Sequence, residues 1–276
     1  MPTNSGAALR ARGPQVLEEA LRAFDKLKAE YTKLQGEQNQ LHSAALFGEA
    51  GKGDRDAEVE AKFEQVGKQL AELEGRIERA AAAIDHIGGQ RSCTVSRLFW
   101  YTDLEQAKAA SAQSGDPILS LRMLGKLTDE YSCANSRFFR TALYANKDLS
   151  EFLRNNFVLH WQSVRSVPRV TIDFGDGRKL ERTLTGNSAH YVLASDGTPL
   201  DVLPGVYSPL AFQQWAWNVR DFYSNYEIAV ASELANLLRA YHVNQKDELL
   251  QRWDFDIQRL GGQQEELAFV RVNHAL

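Results

Sequence analysis

Apolar side chains return every seven residues through the first third of the chain, in two separate stretches, and no other feature restricts its folding as strongly. Leu17, Phe24, Tyr31 and Gln38 share one heptad position; Ala20, Leu27, Leu34 and Leu41 share the other. The pattern lapses between Gly48 and Asp56, a run rich in Gly, Lys and Asp. It then restarts with Phe63, Leu70, Ile77 and Ile84 alternating with Val66, Leu73, Ala80 and Ile87. Two such positions lie along one stripe of a helix, so each stretch predicts a long amphipathic helix, and the polar connector folds them into an antiparallel hairpin. Pro14 suits a first helical turn and Gly88-Gly89 a helix stop. Residues 1–13, small and polar, read as a loose N-terminus and residues 14–89 as the coiled-coil-like helical hairpin. Its seam has two uses open to it. It can pack back onto the C-terminal helices, or it can project and pair with a second copy or another protein. The length of the seam favours interaction.

Composition narrows the rest. A chain of 276 residues buries a sizeable core without metal or disulfide staples, and two cysteines exclude a disulfide framework. The net charge of −4 gives no global attraction to nucleic acid or an anionic membrane. No apolar run approaches the roughly 20 residues of a membrane span. The opening Met1–Gly6 leads to Leu9–Arg12 without an apolar stretch, which predicts no secretory signal. The expectation is a soluble, cytoplasmic protein with no nucleic-acid or membrane partner and no cofactor. No Cys/His/Asp/Glu cluster has metal-ligand spacing, Gly51–Asp54 lacks the spacing of a phosphate loop, and there is no Gly-x-Ser-x-Gly elbow.

Beyond Gly89 the pattern changes to short mixed elements. Leu98-Phe99-Trp100 reads as a strand, and Thr102–Glu105 as a capping box that opens a helix through about Ser114. Ile118–Met123 reads as a strand, followed by a helix from near Ser132 and a short one over Lys147–Asn155. Phe157–Trp161 reads as a buried strand. Val170–Phe174 with Lys179–Leu184, and His190–Leu193 with Pro199–Leu203, read as two hairpins. Ser208-Pro209 caps a helix carrying Leu210, Phe212, Trp215 and Val219. Two further stripes follow, one from Ile228 to Leu238 and one from Leu250 to Leu260. Leu267–Val272 reads as a short strand.

The order strand, helix, strand, thiol-bearing helix, strand, antiparallel hairpin, helix resembles the thioredoxin-like fold. The residues that carry the likeness are Pro117–Leu121, Ser132-Cys133-Ala134-Asn135-Ser136 where that family has Cys-x-x-Cys, Phe157–His160, and Tyr191–Leu193 with Asp196-Gly197. The resemblance implies an α/β class, a thioredoxin-like αβα sandwich over residues 93–222, with the helical hairpin before it and a C-terminal helical extension over 223–276. Cys133 then matches the attacking cysteine, whose thiolate free backbone N–H groups at a helix start stabilise. Ser136 occupies the resolving position, so an intramolecular disulfide between the two is excluded. What the resemblance leaves is monothiol exchange, a mixed disulfide with glutathione or a client protein resolved by an outside thiol. Ser188, followed by Ala189, stands where thioredoxins keep a cis-proline that positions the partner backbone.

Each candidate has a plainer reading beside it. Cys133 is also a small buried hydrophobe at a helix start. Cys93 is either a distant resolving thiol or a free structural one. His160 and His190 are proton acceptors or hydrogen-bonded packing residues of core strands. Arg137 and Arg140 attract a glutathione carboxylate or an acidic partner, or are solvated. Two functions therefore stand side by side. One is a cytoplasmic thiol-disulfide oxidoreductase-like protein with one nucleophilic cysteine. The other is a redox-inactive thioredoxin-like adaptor that binds a protein partner through its hairpin and C-terminal helices, with homo-oligomerisation through residues 14–89 as a further expectation.

Overall fold

The hydrophobic seam of the first 90 residues joins the two hairpin helices, and at its base packs on Cys93 and Phe99. In the computed structural model, which describes residues 9–47 and 53–261, Pro14–Phe47 forms α1 and Gly53–Gly88 forms α2. Val16, Leu17 and Leu21 of α1 and Val66, Leu70, Leu73, Ile84 and Ile87 of α2 are buried. Phe24, Leu27, Tyr31, Leu34, Gln38 and Leu41 continue the stripe as half-buried residues while their neighbours face solvent. The antiparallel register follows from the pairs that meet: Lys62 Nζ lies 3.7 Å from Glu37 Oε1, and the His42 and Phe63 rings are 6.1 Å apart. Each buried aliphatic side chain stabilises the pair by about 1.5–3 kcal/mol. Outside the seam, polar and charged residues cover both helices.

Two compact units divide the described residues, with the boundary between Trp215 and Ala216. The hairpin belongs to the first. Its remaining elements are α3 (Cys93–Ser96), β1 (Trp100–Tyr101), α4 (Leu104–Ser114), β2 (Ile118–Leu124), α5 (Ala134–Phe138) running into a π turn (Phe139–Leu143), α6 (Lys147–Asn156) and β3 (Val158–Arg165). Then come β4 (Arg169–Asp173), β5 (Lys179–Thr183), β6 (Ser188–Leu193) and β7 (Pro199–Pro204). The class is mixed α/β. The main sheet has the order β1-β3-β2-β6-β7; β1 and β2 run parallel to β3, while β6 and β7 pair antiparallel. The two expected hairpins both form, but β4 and β5 stand as a separate two-stranded ribbon. β2 is central and almost wholly buried, as its run Ile-Leu-Ser-Leu-Arg-Met-Leu demands of a strand covered on both faces.

Polar side chains lock the hairpin base to the sheet. Trp161 Nε1 donates to Gly89 O at 2.7 Å and Trp100 Nε1 to Gln90 Oε1 at 2.9 Å. Asp85 accepts the backbone N–H groups of Ser92 and Cys93, and Arg97 Nη2 lies 2.6 Å from Asp25 Oδ1. A Cβ on Gly88 would overlap the Cys93 sulfur, which fixes glycine at this crossing.

Several local expectations shift. The cap of α4 is Asp103, whose carboxylate accepts Gln106 N at 2.9 Å, rather than Thr102. The first strand begins at Trp100, and the thiol helix at Ala134 with Cys133 as its cap. α7 (Pro209–Ile228) runs across the unit boundary, and α8 (Leu234–Arg259) follows a break at 229–233. The stripe expected to start at Ile228 is thus interrupted, and Ile228 is exposed. Within the second unit Phe222 stacks on Tyr241 with ring centroids 4.3 Å apart. The expected Leu267–Val272 strand and residues 1–8 lie outside the described residues. Among those described, no helix is long and apolar enough to cross a membrane.

Candidate functional site

The thiol site starts where β2 ends. Gly125 turns the chain at φ +76° and donates its N–H to Arg165 O, and the loop returns so that Cys133 N meets Leu124 O at 3.4 Å. Cys133 is extended, with ψ 162°, and its carbonyl accepts Arg137 N to begin α5. The sulfur lies inward. Cys133 is fully buried in a small apolar cluster with Leu124 and Val167.

Its one close polar neighbour is Ser136, whose Oγ lies 2.8 Å from Cys133 Sγ and 3.8 Å from Met123 Sδ. The Asn187 carbonyl stands 4.0 Å from the sulfur. Asn135 Nδ2 donates to Ser188 Oγ at 3.0 Å, Ala134 N to Thr185 O, and Thr183 Oγ1 to Ser132 O. Together these bonds lay residues 183–188 across the thiol. Gly186 is required there, because a Cβ would overlap the Asn135 side-chain oxygen and come within 3.2 Å of Asn135 N.

Cys133 and Ser136 are in direct contact, and Ser188 lies beside them through Asn135. The peptide bonds flanking Ser188 are trans, and Ser188 is held by Asn135. Ala189 sits opposite Arg122 in the β2–β6 ladder, half-buried. Arg137 lies half-buried on α5. Arg140 is buried and donates to Ser132 Oγ at 3.1 Å and Leu127 O at 3.4 Å, so it braces the loop before the thiol. Burial, reinforced by Arg91 and Arg137, pushes its pKa down.

Cys93 belongs to a different cluster. It packs with Val16, Leu17, Leu21, Ile84, Ile87 and Phe99 at the hairpin base, and its thiol donates to Leu98 O at 3.4 Å. Burial first, then the nearby Asp85 charge, pushes its pKa up to about 12. Both cysteines are free thiols.

The two strand histidines spend their ring nitrogens elsewhere. His160 Nδ1 meets Ser120 Oγ at 2.8 Å, and burial, with Arg122 adding, pushes its pKa down to about 4. His190 Nε2 meets Tyr144 OH at 2.7 Å between the rings of Phe139 and Phe212, and burial pushes its pKa down to about 3. These are satisfied core histidines. Among the described residues no group of three or more His, Cys, Asp or Glu is placed to hold a metal.

The sequence did not show the roles of Asn135, which holds Ser188, or of the Asn187 carbonyl, which stands beside the sulfur. The resemblance put Ser188 and its neighbours at the thiol, but a contact made through the backbone carbonyl of Asn187 leaves no side-chain signal in the sequence. No family model, curated protein or solved structure matches the chain.

Proposed function

We propose that this protein is a thioredoxin-like module in which the thiol site serves the core, and that it acts as a redox-inactive adaptor for a protein partner. The observation that carries this reading is the full burial of Cys133, with its sulfur against Ser136 and beneath residues 183–188. Thiol-disulfide exchange needs a thiolate that another sulfur can approach in line. Here the approach is closed, and Ser136 supplies no sulfur to resolve a mixed disulfide. The sheet order, with parallel β1, β3 and β2, antiparallel β6 and β7, and the cysteine just after the central strand, supports the thioredoxin-like assignment.

The adaptor surface is the hairpin. At 34 and 36 residues its helices extend about 50 Å at 1.5 Å per residue. Their apolar seam is buried between the helices and, at the base, against Cys93 and Phe99, so a partner meets exposed charged residues such as Glu30, Lys33, Glu72 and Glu74. A site of that kind makes a polar, salt-sensitive contact rather than a continued coiled coil.

Two measurements test the reading. Incubation of the folded chain with oxidised glutathione, followed by intact mass, is expected to show no glutathione on Cys133; a stoichiometric adduct would overturn it. Charge reversal at Glu30, Lys33, Glu72 and Glu74 together is expected to abolish partner recovery while leaving the helix content unchanged. Unaltered recovery would remove the hairpin from the adaptor role.

A further inference from the structure

We propose that the cleft between the start of α1, α4 and the opening of β3 binds a small organic anion with an aromatic or apolar body. The cleft has a volume of 870 Å³, within the roughly 300–1,000 Å³ of small-molecule sites. It lies at the far end of β2 from the thiol. Asp116, two residues before β2 begins, lines it, whereas Cys133 adjoins Leu124 at the other end. The two sites are separate.

The charge of the cleft is unbalanced. Among the described residues, Arg10, Arg12, Arg97 and Arg154 line it with two carboxylates, Glu18 and Asp116. Glu18 is engaged by Arg22 at 3.1 Å, while Arg12 and Arg97 face Glu19 and Asp25. Arg10 and Arg154 differ. Arg10 donates to the carbonyls of Ile87 at 2.7 Å, His86 at 3.3 Å and Trp100, and Arg154 Nη1 to Ser96 O at 3.1 Å. Among the described residues neither makes an ion pair. A carbonyl orients a guanidinium without neutralising it, and arginine does not shed its proton in a protein. Arg10 is half-buried, so its charge is partly desolvated with no anion to offset the cost. An anion entering the cleft supplies that offset, and a planar guanidinium suits a carboxylate or a phosphate.

The body of the ligand is set by the walls. Phe99 lies under Arg10, with the guanidinium carbon 5.2 Å from the ring centroid, and Tyr101 meets Phe99 edge-on at 5.0 Å. Phe157 and Leu159 form part of the wall beyond them. An aromatic ring placed against these residues keeps its anionic group within the arginine field.

Calorimetric titration of the full chain with 1-naphthyl phosphate, 1-naphthoate and neutral 1-naphthol tests the site. The phosphate and carboxylate arms separate the two anion classes. At least one anion is expected to bind about tenfold or more tightly than 1-naphthol. That binding is expected to weaken by about tenfold in Arg154→Gln and to vanish in Ala109→Trp, which fills the cleft from an exposed position on α4. Both variants alter exposed side chains, and an unchanged melting temperature shows that the fold is kept. Equal binding of naphthol and both anions, no binding of either anion, or unchanged affinity in both variants would overturn the proposal. Displacement of the bound anion by a short polyglutamate peptide of higher affinity would also overturn it, by making the site a peptide groove.

Discussion

The hydroxyl of Ser136 rests 2.8 Å from the sulfur of Cys133, both of them fully buried. In a Cys-x-x-Cys site this position holds the thiol that releases a client. Here it holds a hydroxyl, which at this depth must find a partner. Replacing it by alanine removes its hydrogen bonds with the sulfurs of Cys133 and Met123 and leaves a small void. Ser136→Ala is expected to lower stability by about 1 kcal/mol in urea unfolding. A stability unchanged from the parent would show that the pair carries no structural load.

Gly186 holds the cover over the sulfur. Because a Cβ there collides with Asn135, Gly186→Ala must displace residues 183–188 or swing Asn135 away from Ser188. Alkylation of Cys133 in a Cys93→Ser background is expected to accelerate by about tenfold or more, as local opening falls by about 1.4 kcal/mol. Equal rates would place the barrier to reagent elsewhere.

Gly88 plays the matching role at the hairpin base, where a Cβ meets the Cys93 sulfur and lies 3.1 Å from Leu98 O. Overpacking of this kind costs about 1–3 kcal/mol. Gly88→Ala is expected to lower the melting temperature and raise hydrogen exchange at Gln90 and Arg97, ahead of the strands. A variant as stable as the parent would mean that α2 and α3 separate freely.

How far the sequence could be read depended on the range of the interactions involved. The heptad residues of α1 and α2 were legible because each seam position depends on neighbours three and four residues away. The Cys133–Ser136 pairing was legible for the same reason, as one turn of chain. Burial of Cys133 stood only as one of two readings, because it is imposed by Val167 and Asn187, which reach the site through the β3 return and the β4–β5 ribbon. His160 and His190 were placed correctly on strands. Their partners Ser120 and Tyr144 arrive from β2 and from the end of the π turn, so only the assembled sheet shows that their nitrogens are used.

Those two histidines make stability depend on pH in a defined direction. Their folded pKa values, about 4 and about 3, lie below the ordinary 6.5, so the unfolded chain binds protons that the folded chain refuses. Their contribution is intact above pH 6.5 and is lost as pH falls toward 4, by up to about 1.4 kcal/mol per pH unit for each histidine. Urea unfolding at several pH values in this window is expected to give a shallower slope for His160→Gln than for the parent. Identical slopes would mean that His160 charges freely in the folded protein.

The central proposal, that the Cys133 thiol is structural, is tested most directly by the alkylation rate of Cys133 in the folded Cys93→Ser protein, measured against the same chain in denaturant. Burial beneath residues 183–188 predicts a folded rate about a hundredfold or more slower, the signature of reaction through rare opening. A folded rate equal to or faster than that of the unfolded chain would contradict the account and return Cys133 to the role of nucleophile.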